Sequence, residues 1–337
     1  MTESQEELRR KFPPRYWAPG VRRFNAPFLI TTEQARDFGV TSHQMKTRQA
    51  APVLHGVRSV PGRFEELQVP DWADARWEEL HTRARAFQLL HPRSVAGGLS
   101  AAFLYGYPLP LSADLDNLHV TVPGSAERHR ITGVTSSRSK LFWPVERYGI
   151  RLNAGPYMLM ELVDELAEDE LIMVIEAVVG GWRGPPELSV ADLRERIVSA
   201  PHDRRTSRLL TTVDRARDGV RSPKETEYRL ACVAAGLPEP IPNFLVRIAS
   251  GRVREVDLAF EDYRVGFEYH GRDHFNDRAA RTLDANRADD LRNVGWHMID
   301  GYGGTPVSDY LARIERALRQ RGWPGPPHLP GSVVSQK

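Results

Sequence analysis

Residues 253–274, VREVDLAFEDYRVGFEYHGRDH, hold two strand-like runs, each with an acid in its apolar interior. Asp257 sits within EVDLAF and Glu268 within VGFEYHG. Side chains along a strand alternate faces with period two, so Glu268 and His270 share a face and Tyr269 takes the other. If the runs pair as a hairpin across Glu261-Asp262-Tyr263, Asp257 comes close to Glu268. Like charges held together on a partly buried surface are destabilising unless a cation or a proton lies between them. A hard divalent cation with oxygen ligands is the simplest resolution. Any fold of this chain must therefore place these two acids where they find a partner.

The flanking residues extend the pattern. Ser222-Pro223-Lys224-Glu225 reads as a capping box, with Ser at the N-cap and Pro at the first helical position. A first-turn Glu225 can cap the helix and still point at a metal. Asp284 reads as an N-cap before ANRADDLRNVG, a helix that Gly295 ends. Arg287 and Arg292 are either solvated or phosphate-holding. His274 is either a phosphate contact or a loop residue bonded to backbone. The expected order is helix Ser222–Ala235, strands Asn243–Ala249, Arg252–Phe260 and Tyr263–Tyr269, helix Ala285–Val294 and strand Trp296–Asp300. A last amphipathic helix turns Tyr310, Leu311, Ile314 and Leu318 to one side.

The chain is 337 residues long. At about 150 residues per domain, that length suggests ~2–3 domains. Net charge is only +2, so overall electrostatics do not announce a nucleic-acid binder. The first sixty residues are more telling, with ten Lys and Arg against five Asp and Glu. The single Cys232 excludes an internal disulfide and fits a reducing cytoplasm. It lies in the apolar part of a helix, as an inert core thiol would. No apolar run long enough for a membrane span is present, and Cys/His zinc spacing is missing.

Near the N-terminus, a charged, proline-broken lead-in precedes Thr31–Gly39, predicted as a short capped helix. Thr41–Arg48 reads as a second helix. Two short helices joined by a Gly-containing turn are a helix-turn-helix signature. Val53–Val60 reads as a small wing. Lys46, Arg48 and Arg58 cluster on the second helix and wing, where phosphate contacts would place them. The alternative is a packing subdomain with a solvated polar face.

Residues from about Ser222 to Asp300 resemble the PD-(D/E)XK nuclease superfamily, in its very-short-patch-repair (Vsr)-like branch. The resemblance rests on an ordered succession: SPKET, GLPEPIPNF, VDLAF, FEYHG with His274 beyond it, Asp284-x-x-Arg287-x-x-x-Leu291, and Gly295-Trp296. Where the branch often carries Asp and the wider superfamily Lys, this chain has His270. The N-terminal part is similar to the winged-helix region of AbiEi-type antitoxins. The middle resembles them more loosely, through HPRSVAGGLSAAFLYGYPLP, LHVTVP, ITGVTSS and MLMELVDELAEDELIMVIEAVVGG. Tyr157-Met158 stand where that family has Arg-Thr.

These resemblances imply an α+β multidomain chain: an N-terminal winged helix, an α/β middle domain, and a C-terminal restriction-endonuclease-like α/β/α domain with a mixed sheet. The implied borders are a lead-in at 1–24, a winged-helix-like module at 25–80, an AbiEi-like domain at 81–215, a Vsr-like nuclease domain at 216–322, and a Pro-rich disordered tail at 323–337. The implied activity is hydrolysis of DNA phosphodiesters with Mg2+ or Mn2+ in a cytoplasmic endonuclease. Asp257, Glu268 and the Tyr269 carbonyl would hold the metal. His270 would activate water, and Glu225 would support the site. Lys46, Arg48, Arg58, Arg287 and His274 would contact DNA. The rival reading is a DNA-binding regulator or antitoxin-like repressor on a nuclease-derived scaffold. An RNA-directed nuclease is a third. A toxin or other protein partner and the oligomeric state are not legible.

Overall fold

The computed structural model describes residues 4–14, 19–41, 43–44, 50–124, 130–140, 143–200, 204–270 and 287–326. The chain forms two compact units, one of Tyr16–Ala216 and one of Met1–Arg15 with Arg217–Lys337. Among the described residues the architecture is α+β with three sheets. None of the described helices is long and apolar enough to cross a membrane.

Within Tyr16–Ala216, strands β1 (Val21–Thr31), β2 (Pro52–Leu54) and β3 (Val57–Pro70) form an antiparallel sheet in the order β1-β3-β2. Leu29 and Ile30 lie near the end of the eleven-residue strand β1, which ends at Thr31. The helix expected over Thr31–Gly39 is a set of turns. Its caps do form: Gln34 N–H donates to Thr31 Oγ1 at 3.2 Å, and Gly39 takes φ 70°. Between the caps the backbone closes by tighter i to i+3 bonds, Asp37 N–H on the Gln34 carbonyl at 3.0 Å and Gly39 N–H on the Arg36 carbonyl at 3.1 Å. At Thr41 a second box forms with Gln44. Lys46 and Arg48 lie outside the described residues. The expected wing is the β2–β3 hairpin, which turns at Gly56 with φ 83°.

Helix Ala75–Leu90 follows, capped by the Asp74 carboxylate on Trp77 N–H at 2.8 Å. It runs without a break across residues 80 and 81. Its buried Trp77, Leu80, Ala84 and Phe87 share one apolar core with Val57 and Val69 of β3. The same core holds Leu118, Val120, Ile150 and Leu152, from a five-stranded sheet. That sheet has β4 (Val95–Ala96), β5 (Leu118–Pro123), β6 (Val134–Ser139), β7 (Pro144–Arg147) and β8 (Ile150–Asn153) in the order β6-β5-β4-β8-β7. The stretch MLMELVDELAEDELIMVIEAVVGG is two helices, Gly155–Leu162 and Glu168–Val179. Glu170 starts the second by accepting from Ala167 N–H at 2.8 Å.

In the other unit, β9 (Ile241–Arg247), β10 (Val253–Phe260), β11 (Val265–His270) and β12 (His297–Tyr302) form a mixed sheet in the order β12-β11-β10-β9. β9, β10 and β11 are antiparallel neighbours, and β11 runs parallel to β12. One face packs Leu258, Phe267 and Ile299 against Tyr228 of helix Pro223–Ala234 and against Tyr310, Ile314 and Leu318 of helix Val307–Gln320. The other face packs Phe244, Val256 and Ala259 against Leu291 and Trp296. Residues 287–293 are helical, and Gly295 ends that helix with φ 87°. The N-terminal segment joins this unit through helix Gln5–Lys11, capped by Ser4 and Glu7. The Gln5 amide donates to the Leu245 carbonyl at 2.9 Å and accepts its N–H at 3.0 Å, so it pairs with edge strand β9 as another strand would.

Candidate metal centre

Parallel pairing of β11 with β12 sets Glu268 beside Asp300 and His270 beside Tyr302. Period two puts all four on one face of the sheet. One donor atom from each of Glu268, His270 and Asp300 lies within 4.8 Å of the others. His270 Nε2 is 3.0 Å from Asp300 Oδ1. Its ring stacks on Tyr302 with centroids 5.2 Å apart. Tyr302 is held from behind: the Tyr310 hydroxyl accepts its N–H at 2.6 Å and donates to its carbonyl at 2.9 Å.

Asp257 enters from β10. Val256 and Ala259 pack on one face of the sheet while Leu258 and Phe260 pack on the other, so strict alternation slips at Asp257. Between Pro242 and Phe244, the partners of Leu258 and Val256 on β9, Asn243 takes φ 49°. Asn tolerates that left-handed geometry better than most residues. The Asp257 carboxylate turns to accept Tyr269 N–H at 3.0 Å. Asp257 is thus tied to β11, and the group of three donors within 4.8 Å of one another is Glu268, His270 and Asp300. Tyr269 itself pairs with Gly301 in the ladder.

Glu225 is buried in the first turn of its helix, behind Ser222, whose hydroxyl accepts Glu225 N–H at 3.2 Å. Its carboxylate takes the N–H of Arg221 at 3.0 Å and a short hydrogen bond from Asn243. The box expected from SPKE therefore closes one residue early, on Arg221 and not on Ser222. Burial pushes the Glu225 carboxyl up to about 7, and the charge of Asp257 adds to the rise.

Glu268 is buried, 7% exposed, and its Oε1 receives no hydrogen bond. Burial pushes this carboxyl up to about 7; nearby Arg287 opposes the rise and Asp257 adds to it. Asp257 is also raised by burial, against the Tyr269 N–H that favours its charge. Asp300 is held below its ordinary range by the hydrogen bond from His270. An acid cluster with one oxygen unsatisfied, beside an imidazole, is a donor set that suits a hard or borderline divalent cation.

The expected phosphate contacts are placed as follows. Arg287 turns inward: Nη2 lies 3.2 Å from Glu268 Oε1 and donates a short hydrogen bond to the Glu255 carbonyl. Arg58 donates to the Ala50 carbonyl at 2.9 Å and ties the hairpin to the turn before it. His274 and Asp284, like Lys46 and Arg48, lie outside the described residues. Cys232 is buried, and burial drives its thiol up to about 12, away from the thiolate form.

Asp300 is the site residue that the sequence reading passed over as the last residue of a strand. Its signal was an acid closing the apolar run Trp-His-Met-Ile, but that signal acquires meaning only once β12 is paired in parallel with β11.

No protein-family model, curated protein or solved structure matches this chain. The functional reading therefore rests on the site.

Proposed function

We propose that the unit containing Arg217–Lys337 is a divalent-metal-dependent phosphodiesterase acting on DNA, as the Vsr-like resemblance implies. The observation that carries this reading is the Glu268, His270 and Asp300 group on adjacent parallel strands, all within 4.8 Å. Glu268 and Asp300 would hold Mg2+ or Mn2+, with Asp257 beside them. A bound divalent ion lowers the pKa of its water and stabilises charge on a phosphoryl oxygen.

The chain's own groups divide the remaining work. Glu268 contributes an oxygen that takes no hydrogen bond and meets only the charge of Arg287. His270, whose Nε2 lies 3.0 Å from Asp300 Oδ1, would serve as the base that takes a proton from water. Tyr302 stacks on the imidazole and limits its rotation. Asn243 and Arg221 fix Glu225, which adds negative potential near Asp257. In this arrangement a histidine performs the task of the superfamily's lysine, as a group able to polarise water.

The test is incubation of the full chain with single-stranded, duplex and mismatched DNA, and with RNA, in Mg2+ or Mn2+. Cleavage should vanish with chelator and in Asp300→Ala. Preference for RNA would move the substrate and leave the chemistry. Metal-independent DNA binding without cleavage of any substrate would favour the regulator reading.

A further inference from the structure

Arg287 stands where the proposed metal would act, and this inference rests on that metal reading. Its guanidinium approaches Glu268 Oε1 to 3.2 Å, yet that oxygen receives no hydrogen bond. Arginine matched to a carboxylate makes two parallel hydrogen bonds. Arg221 does so with Glu255 in the same unit, at 2.6 and 2.7 Å. Arg287 instead gives its hydrogen bond to the Glu255 carbonyl and meets Glu268 by charge alone. Its side chain is 31% exposed and that of Glu268 is 9% exposed, so the arginine has a route outward that the acid lacks. The helix that carries it is anchored separately, by Arg254 on Asp290 at 2.6 and 2.9 Å, so the side chain can leave without the backbone.

We propose that Arg287 is the resident counter-cation of this acid cluster, which a divalent ion must displace from Glu268 and which then turns to hold a substrate phosphate. A guanidinium and a divalent ion at the same oxygen repel one another. Occupancy by one therefore weakens the other, and the coupling is reciprocal. Displacement leaves a planar, permanently charged fork at the rim of the site, and that fork matches phosphate geometry. Metal entry and substrate grip are linked through this one side chain.

The experiment compares the full chain with Arg287→Gln by Mn2+ titration calorimetry and by thermal melting in chelator and in saturating Mn2+. Arg287→Gln should bind Mn2+ about tenfold or more tightly, within the usual range of coupling between sites. It should melt lower than wild type in chelator, and the gap should close in Mn2+. In Ca2+, which serves as a non-cleaving substitute, its affinity for a DNA duplex should fall. Wild-type or weaker Mn2+ affinity in Arg287→Gln, with wild type still binding Mn2+, overturns the inference and leaves the metal reading standing. Absence of Mn2+ binding in both chains removes the two together. If Arg287→Gln fails to fold, the side-chain Nε–H resonance of Arg287 decides it, identified by its loss in Arg287→Lys. Saturating Mg2+ should shift that resonance in the wild-type chain; an unmoved resonance would overturn the displacement.

Discussion

Two glutamates lodged against sheets, Glu161 and Glu268, solve the same problem in opposite ways. Glu161, on helix Gly155–Leu162, has donors on both oxygens: Gly98 N–H at 2.7 Å on one, and Thr121 Oγ1 at 2.5 Å and Asn153 Nδ2 at 3.0 Å on the other. Burial raises its pKa while those three donors pull it back. The approach requires glycine at position 97, since a Cβ there would sit 2.1 Å from Thr121 Oγ1. Glu268 has acids and an arginine around it and no hydrogen bond to Oε1. A buried polar group with its donors in place fastens a fold. One left without them, held only by the charge of an arginine, is a candidate place for something that binds. The difference separates a structural acid from a candidate ligand without reference to any relative.

The sharpest way to break this comparison is to neutralise each acid in turn. Glu268→Gln should lower cleavage by more than about a hundredfold, the upper end of what losing even an outer-shell metal partner costs. Glu161→Gln should leave cleavage by the folded chain unchanged. Equal losses in steady-state nuclease assays would dissolve the distinction.

A second contrast lies in pH dependence. The carboxyls of Glu225 and Glu268 have an ordinary value of 4.5 and are pushed up to about 7 in the folded chain. Between those limits the folded state holds protons that the unfolded state has released. Stability of the metal-free protein should therefore fall as pH rises through that window, by on the order of a few kcal/mol in total. Saturating Mg2+ should oppose the fall, and Glu268→Gln should flatten it. Urea melts across pH 4.5 to 8 with chelator would show a rise instead if these acids were well paired.

Glu161→Ala should destabilise its unit by about 1–3 kcal/mol, because Gly98 N–H and Asn153 lose their acceptor. Thermal melting at fixed pH checks this, and an unchanged midpoint would mean that the network is dispensable. Arg58→Ala should have the smallest effect, about 0.5–1.5 kcal/mol, from the lost bond to the Ala50 carbonyl. Its duplex affinity and salt slope should match wild type. A fall of ~0.9 in that slope would restore Arg58 as a phosphate contact.

Much of the C-terminal sheet was readable from local chemistry. The paired runs around Asp257 and Glu268, the Ser222 cap and the Gly295 stop are properties of short segments, and each forms near its expected place. Glu268 and His270 share a face because period two needs no tertiary information. Asp300 was hidden because its meaning depends on parallel register with a strand some thirty residues earlier. The inward turn of Arg287 was likewise hidden, since sequence shows a charge and not its direction. Near the N-terminus, β1 was missed because VRRFNAPFLIT mixes arginines with apolar residues and keeps no clean alternation. The capping signals at Thr31 and Gly39 are real, but the residues between them close as turns.

The central claim is that Glu268, His270 and Asp300 form a divalent-metal site, and Mn2+ binding by electron paramagnetic resonance tests it most directly. The full chain should take up one Mn2+ through carboxylate oxygens. Asp300→Ala should weaken that binding, and Glu268→Ala with Asp300→Ala should remove it. Failure of the wild-type chain to bind Mn2+, or binding unchanged in the double variant, would contradict the assignment.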